Sequence, residues 1–261
     1  MQQNKFNQIK MKKILCLFSA LALVVSSCSS DDAADASASV KPSKIAYSYS
    51  DPTENYYTDI KYEGSKLVSE IDNDGYTLKH FYVGDLISKT EQYGIDKTLK
   101  STTEYSYSAG KLASETVKNV GETKFYKTKY TQNGDGTISF AEFYINAATG
   151  VEEEGGKIGK YTYKDGNLVK YESSYYGKPN TTYTYEYDSK KNPNTNIDGV
   201  KLLTGTEESA SVNNVVKITG TSATSSYVST FTYVYNNNNF PTEKKQFNDK
   251  GTLTETAQIT Y

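Results

Sequence analysis

The stretch that decides the fold reads YTYKDGNL at residues 161–168. Its two tyrosines stand two residues apart, and side chains with that spacing lie on the same face of a β-strand. Asp165 and Gly166 follow, and this dipeptide supplies the positive φ angles that a two-residue hairpin turn requires. Leu168 then resumes the apolar face on the return strand. The eight residues therefore predict two antiparallel strands joined by a tight turn.

Variants of this unit recur along the chain, some complete and some only as the strand half. Complete copies read YEGSKL at 62–67, FYVGDL at 81–86 and YSYSAGKL at 105–112, and strand halves read YTYEY at 183–187, FTYVY at 231–235 and ITY at 259–261. The spacing between copies is irregular, which favours a degenerate meander with insertions over a strict solenoid. We therefore expect an all-β domain over residues 45–261, an antiparallel β-meander of repeated Tyr-rich hairpins. It would form one large curved sheet or an open barrel-like domain.

The composition makes tyrosine a main source of large apolar surface. The chain has 25 Tyr and 9 Phe, only 2 Met and no Trp. A buried tyrosine needs a hydrogen-bond partner for its hydroxyl group. The core is therefore expected to be built from rings whose hydroxyl groups find partners inside the fold.

Three irregular stretches interrupt the strand pattern. Residues 146–159 contain Glu152–Glu154 and are expected to form a charged loop or hairpin tip. Residues 188–199 are rich in Asn and Lys with Pro193, which predicts a long loop. Residues 236–239 are four asparagines followed by Phe240-Pro241, and the proline predicts a turn there rather than a central strand.

The N-terminus has the order of a lipoprotein signal peptide. Lys12-Lys13 precede an apolar run of 12 residues, 14–25, which is too short to span a bilayer. Val25-Ser26-Ser27-Cys28 then resembles a lipobox, which predicts removal of residues 1–27 and lipidation of Cys28, with palmitate among its acyl chains. An ordinary secretory cleavage site beside a chance cysteine is the alternative. Met11 is a second candidate for the start of the chain.

Residues 28–44 are expected to be a flexible tether. They are mostly Ser, Ala and Asp and lack the apolar periodicity of a packed element. The acidic cluster that follows Cys28 resembles the surface-export signal of Bacteroidota lipoproteins, and a merely solvated linker is the alternative. We expect a lipid-anchored protein of the outer membrane. The resemblance to the export signal favours the cell surface.

The charge balance excludes nucleic acid as an expected partner. All 29 basic residues are lysines, four of them precede Cys28, and 25 remain in the mature chain against 31 Asp and Glu, a net charge of −6. Binding to a phosphate backbone relies on clustered positive charge. The mature chain also has no thiol besides Cys28, because Cys16 lies in the signal peptide.

The repeated units resemble the YD repeats of Rhs-type proteins. The C-terminal half, with YEYD at 185–188, KNP at 191–193, NNVVK at 213–217 and FPT at 240–242, resembles a family of Bacteroidota surface lipoproteins. The resemblance covers roughly residues 45–261, and its motifs are structural. It implies a β-meander domain on a lipid anchor and carries over no catalytic residues.

One segment, residues 131–142, resembles an EF-hand calcium loop. Asn133, Asp135, Gly136 and Glu142 stand where oxygen ligands, the turn glycine and the terminal carboxylate belong. Thr131 occupies the first position, which normally carries a charged ligand, and the flanking segments have strand patterns rather than helical ones. The alternative is a hairpin turn at 133–136 with Glu142 on the return strand, and we predict no metal site and no cofactor.

Catalytic chemistry has little support in the sequence. His80 is the only histidine, it lies in a strand-like run, and no nucleophile near it in sequence suggests a triad. A turn at Glu70–Gly75 is acidic and is expected to be solvated. Paired carboxylates could serve glycoside hydrolysis, but Glu152–Glu154, Glu207 and Glu208 lie in polar runs that are typical of exposed loops.

Three functions follow in order of preference. The first is a non-catalytic lipoprotein that binds or scaffolds another outer-membrane protein through a tyrosine-lined surface, since tyrosine is favoured at interfaces. The alternative is a carbohydrate-binding surface module with tyrosine rings stacking on sugars, and the third is a carboxylate-only glycosidase. Pull-down from solubilised outer membranes and a glycan array separate the first two.

Overall fold

The protein is described by a computed structural model over residues 40–178, 181–203 and 211–261. Cys28, the predicted signal peptide and most of the predicted tether lie outside these residues. Sixteen strands follow one another in the described chain, with short connections and three brief 3-10 turns. The strands are β1 Lys44–Tyr49, β2 Tyr56–Glu63, β3 Lys66–Asp72, β4 Thr77–Val83, β5 Leu86–Tyr93, β6 Leu99–Ser108, β7 Lys111–Asn119, β8 Lys124–Gln132, β9 Ile138–Asn146, β10 Glu152–Lys164, β11 Asn167–Tyr175, β12 Thr181–Tyr187, β13 Val215–Thr221, β14 Ser226–Tyr235, β15 Pro241–Phe247 and β16 Leu253–Thr260.

Every strand pairs antiparallel with its sequence neighbours, and the ends of the meander meet. β1 pairs with β16 from Lys44 opposite Thr260 to Tyr49 opposite Glu255, which closes the sheet into a barrel. The expected antiparallel meander is confirmed. The sequence did not indicate whether the sheet closes, and the pairing of β1 with β16 shows that it does. A closed sheet has no exposed edge strands.

The tight turns follow the chemistry of the repeated unit. Asp165 (φ 51°) and Gly166 (φ 78°) both have positive φ, as a type I′ turn requires, and they connect the paired residues Lys164 and Asn167. Gly64, with φ 61°, occupies the first central position of the β2–β3 hairpin, where a type II′ turn places glycine. The expected hairpin turn at 165–166 is therefore present.

A β-bulge follows each of these turns at the same place. Tyr163 pairs with Leu168 while Thr162 pairs with Lys170, so Val169 is the extra residue on the return strand. The same shift occurs in the β2–β3, β4–β5, β6–β7, β12–β13 and β14–β15 hairpins. The repeated sequence unit is therefore a bulged hairpin with a tyrosine opposite an apolar residue.

Tyrosine hydroxyl groups bind the backbone where the bulges interrupt the ladder. The hydroxyl groups of four tyrosines donate to the carbonyl oxygens that precede the extra residues, at 2.6–2.8 Å. The pairs are Tyr107 with Ile87, Tyr187 with Leu168, Tyr233 with Val215 and Tyr261 with Pro241. Each donor lies beside the bulged strand, so these bonds link consecutive hairpins around the barrel.

The inner wall is apolar and aromatic, and the outer wall is charged. Along β1 and β16, Ile45, Tyr47, Ala257 and Ile259 face inward and are buried, while the alternating residues face outward. One core cluster joins these strands to β2, β3 and β5, and a second cluster on β7–β11 contains Leu112, Tyr130, Phe140, Tyr161 and Leu168.

One end of the barrel is closed by the long connection between β12 and β13. It carries 3-10 turns at Pro193–Asn196 and Val200–Leu202, and Ile197, Val200 and Leu203 pack into the first core cluster. Its described part crosses to the opposite wall, where the Asp198 amide donates to the Ser65 carbonyl at 3.0 Å. The predicted loop at 188–199 is therefore present, and it forms a cap, while residues 204–210 lie outside the description.

Of the two remaining stretches that were predicted to interrupt the strands, one agrees with the structure more closely than the other. Asn236–Asn239 form a turn, as expected, with Asn239 at φ 65°. The proline was expected to exclude a central strand, and this is wrong, because Pro241 is the first residue of β15, a position that proline tolerates, and pairs with Tyr235. Residues 147–151 form the turn between β9 and β10, but Glu152–Glu154 pair with β9, so the charged loop predicted for 146–159 is wrong in its second half. The described chain contains no helix long and apolar enough to cross a membrane.

Candidate functional site

The two ends of the barrel differ, and we call them the capped end and the open end. The capped end carries the β12–β13 connection and the turns at 64–65, 84–85, 109–110 and 165–166. The open end carries the turns that follow β1, β3, β5, β7, β9, β11, β13 and β15. Val40 lies at the capped end, where its carbonyl accepts a hydrogen bond from Asn196 at 2.8 Å. The chain that leads to Cys28 therefore leaves the barrel at the capped end.

Aromatic side chains form a continuous row along the inner wall from β9 to β14. The centroids of neighbouring rings lie 5.1–6.0 Å apart, which is the range for favourable ring pairs. The row consists of Phe140, Tyr161, Tyr171, Tyr183 and Tyr227, and we call it the aromatic row. The strand registers place all five on the inward face. Phe140 and Tyr161 are buried, whereas Tyr227, nearest the open end, is 45% exposed.

Polar side chains lie beside the aromatic row on the same wall. Glu142 and Lys157 face inward and form an ion pair of 2.7 Å, and their side chains remain 34% and 37% exposed. Burial, the largest single effect, lowers the pKa of Lys157, but the hydrogen bonds and charges of Glu142 and Tyr171 together outweigh it, so the pKa is raised. Inward-facing groups that remain one-third exposed show that water reaches the interior at this level.

Glu115 faces inward two strands away from Glu142. Burial raises the pKa of its carboxyl group, although hydrogen bonds with the Tyr130 and Thr128 side chains lower it. Glu115 therefore lies in a buried part of the inner wall, where burial is the largest influence on its pKa. The exposed part keeps Glu142 paired with a cation. The two carboxyl groups thus differ in environment.

The rim of the open end carries apolar side chains that face water. Four consecutive turns around the rim, after β5, β7, β9 and β11, each present at least one of them. They are Ile95, Leu99, Val120, Val151 and Tyr176, which are 36–64% exposed, and we call them the rim patch. Exposed apolar groups that cluster in this way mark interaction sites more often than scattered ones do.

The outer wall is covered by lysine, glutamate and threonine. Ion pairs join neighbouring strands on this face, for example Lys118 with Glu104 at 2.6 Å and Lys217 with Glu186 at 2.7 Å. Outward rings lie under lysine ammonium groups, with Lys44 Nζ 3.4 Å from the centroid of Tyr57. A membrane-spanning barrel needs an outward apolar band about 25 Å tall. The outer wall has the opposite character.

The calcium-loop segment folds as a hairpin turn. The Asn133 amide donates to the Thr137 carbonyl, and Asp135 Oδ1 accepts from the amide and hydroxyl groups of Thr137. Glu142 lies along β9 and binds Lys157, away from the turn. Among the described residues, no group of three or more His, Cys, Asp or Glu side chains is placed to hold a metal ion.

His80 is buried against a partner that the sequence did not indicate. Its Nε2 lies 2.9 Å from Glu70 Oε1, and both side chains are at most 1% exposed. Glu70 was expected in a solvated turn, and this expectation is wrong because β3 extends to Asp72 and carries Glu70 on its inner face. The solvated turn itself is present at Asn73–Gly75.

The carboxylates singled out in the sequence are not brought together. Glu152 lies on β10 and pairs with Lys127 at 3.1 Å and with Lys129. Glu207 and Glu208 lie outside the described residues, as does Cys28. The inward acids Glu115 and Glu142 were not singled out as a pair, and only the alternation of inward and outward residues along β7 and β9 could have suggested them.

Comparisons with known proteins support the fold. No family model matches this chain, and no curated protein matches it. Among solved structures, a porin-like protein from Bacteroides uniformis ATCC 8492 is similar, with 13% sequence identity and a TM-score of 0.51. The match covers 84% of this chain and 96% of that one. This similarity extends to the architecture of a large antiparallel β-barrel.

Proposed function

We propose that the protein is a non-catalytic lipoprotein of the outer membrane, exposed on the cell surface, that binds another outer-membrane protein. Acyl chains on Cys28 anchor it, and the barrel stands outside the bilayer. The rim patch is the contact surface. The single observation that carries the proposal is the placement of exposed apolar side chains on four consecutive turns at one end of the barrel.

The outer wall supports anchoring by lipid rather than by strands. A lysine at the middle of a bilayer costs a membrane barrel about 2–4 kcal/mol, and lysines occur along the outward face of most strands here. The ion pair of Lys245 with Glu243, 2.8 Å, is one of several in the middle of that face. A wall of this kind is stable in water. The porin-like neighbour supports the barrel architecture, and the sequence supports the anchor.

The path of the chain supports contact through the open end. Eleven residues lie between Cys28 and Val40, and a fully extended chain over these 12 residue steps reaches about 40 Å. Because Val40 lies at the capped end, the anchor holds that end nearest the bilayer. The rim patch is then directed away from the membrane, where a partner has access to it.

No catalytic step is part of this proposal. The only histidine, His80, has its Nε2 in a fully buried pair with Glu70. A general base must reach the proton that it removes, and a base in this position has no access to a substrate in the open end.

The test is cross-linking in intact cells followed by mass spectrometry. Val120→Asp combined with Val151→Asp places two charges in the rim patch, and we expect it to abolish the major cross-linked partner. Val83→Asp is the matched control, because Val83 is 72% exposed at the capped end. Partner capture that survives the rim variant, or is lost equally in the control, contradicts the proposal.

A further inference from the structure

The chain reaches the barrel through a short segment that precedes the first strand, residues 40–43, which we call the latch. Pro42 is buried, and Val40 is partly buried against the first core cluster. The Ser43 amide donates to the Thr260 carbonyl at 3.1 Å. The latch is therefore packed on the barrel although it belongs to no strand.

The cap that closes this end of the barrel has a root and a tip. At the root, residues 188–194, the Asn192 amide donates to the Val212 carbonyl at 3.0 Å, just ahead of β13. The tip, residues 196–200, crosses to the opposite wall. The root is thus bonded to the side of the barrel from which the cap comes, whereas the tip depends on contacts across the end.

The tip lies directly against the β4–β5 hairpin. A Cβ atom at Gly199 would lie 3.0 Å from the carbonyl oxygen of Asp85 and 3.0 Å from the amide nitrogen of Ile87. The Tyr82 hydroxyl group donates to the Asp198 carbonyl at 3.4 Å. There is no room for a side chain between the tip and this wall, so the position of the tip is set by what holds it there.

The latch contacts the tip by a hydrogen bond and by apolar packing. The Asn196 side-chain amide donates to the Val40 carbonyl at 2.8 Å. Ile197 and Val200 of the tip are buried in the core cluster against which Val40 packs. Residues that are far apart in sequence therefore meet at the point where the tether begins.

We propose that the latch holds the cap closed, and that peeling the latch from the barrel frees the tip while the strands stay paired. The tip can open locally, because its contacts with the opposite wall are separate from the strand ladder. Since the latch precedes β1, a force on the tether reaches the latch before it reaches a strand. The inference goes beyond the proposed function and requires neither a partner nor the rim patch.

The alternative is a latch that only stabilises the closure of the barrel. Ser43 lies between β16 and β2, because its amide donates to Thr260 and its carbonyl accepts from the Ile60 amide at 2.8 Å. Losing these bonds would loosen the wall and the cap together. Val40 contacts the cap three residues earlier, so a substitution at Val40 separates the two possibilities.

Thiol labelling of the whole mature chain, residues 28–261, tests the inference. Cys28→Ser leaves this chain without a thiol, so that an introduced cysteine is the only one. Val200→Cys reports on the tip and Leu168→Cys on the wall, because these side chains are 0% and 1% exposed. A buried cysteine reacts only when its surroundings open, so the labelling rate measures local opening.

We expect Val40→Asp to raise the labelling rate at position 200 about tenfold or more and to leave the rate at position 168 unchanged. Asn196→Ala removes the donor to the Val40 carbonyl and should act in the same direction. It also carries the test where circular dichroism shows that Val40→Asp is unfolded. Together the two substitutions should have less than the product of their separate effects, because they break the same contact.

Val83→Asp is the matched control, since Val83 is 72% exposed at the capped end, and it should change neither rate. Unchanged labelling at position 200 in the folded latch variants contradicts the inference. An equal rise at positions 200 and 168 also contradicts it, because the latch then only stabilises the whole barrel. These rates are measured on the isolated protein, so they are independent of whether the rim patch captures a partner in cells.

Discussion

Among individual side chains, the buried pair of Glu70 and His80 gives the most direct test of the structure. Both side chains lie inside the barrel with Nε2 and Oε1 2.9 Å apart. Removing one member of a buried pair leaves a polar or charged group without compensation, whereas replacing both is often tolerated. The pair therefore stabilises the fold only while it is complete.

We expect His80→Leu to lower the free energy of unfolding by roughly 3–5 kcal/mol. Combining it with Glu70→Met should restore most of that loss, because no polar group then remains buried alone. Urea unfolding measures both. Lys217→Ala serves as the control, since its pair with Glu186 is exposed and such pairs contribute about 0–1 kcal/mol. A loss of similar size in the control and in His80→Leu contradicts the argument.

At the scale of elements, the unit of construction is the bulged hairpin together with the tyrosine beside it. A bulge leaves a backbone carbonyl group outside the regular ladder. Ile87 provides such a carbonyl, its side chain is buried, and Tyr107 donates to that carbonyl at 2.8 Å. Four tyrosine hydroxyl groups thus satisfy carbonyl groups that the bulges expose. The buried hydroxyl groups of Tyr62 and Tyr163 have no partner in the described part of the chain, so the expectation that buried hydroxyl groups find partners holds only in part.

Tyr107→Phe should therefore lower the free energy of unfolding by about 1–3 kcal/mol, because a buried acceptor loses its donor. Tyr187→Phe should behave alike, since its hydroxyl group donates to Leu168. Tyr93→Phe removes only an outward bond to Glu91, and little change is expected. Thermal unfolding compares the three. Equal effects at all positions would mean that the hydroxyl groups do not act through the bulges.

For the whole molecule, the direction in which the apolar side chains face bears on whether the barrel lies inside or outside the bilayer. The buried rings face inward and lysines are frequent on the outward face, which is the reverse of a membrane-spanning barrel. In the proposed arrangement the barrel is attached through its tether. The capped end, where the tether leaves, and the open end, where the rim patch and the aromatic row lie, have different environments as a consequence.

Cys28→Ser should release the protein from the outer membrane in a folded state, because the acyl chains on Cys28 are the anchor in the proposed arrangement. Membrane fractionation measures the release, and circular dichroism of the released protein should retain its strand signal. Protein that stays in the membrane through an alkaline carbonate wash would show that the barrel itself is inserted, and the proposed arrangement would be wrong.

The hairpins are encoded in short stretches of sequence. Turn residues such as Asp165-Gly166 and tyrosines two apart act over a few residues, so the strand type, the antiparallel order and the turn positions could be predicted. The long connection at 188–199 was predicted for the same reason. The sequence did not show the bulges, because the extra residue on a return strand can be identified only when the strand pairing on both sides of it is known.

The closure of the barrel, the cap and the interior sites depend on contacts between residues that are far apart in sequence. Ile45 meets Ile259 across the closing pair of strands, and Asp198 of the cap meets Ser65, over separations in sequence that no local pattern encodes. The partner of His80 and the row from Phe140 to Tyr227 likewise depend on which strands become neighbours. Local patterns fix which face of a strand is apolar, and the closure of the sheet fixes what that face encloses.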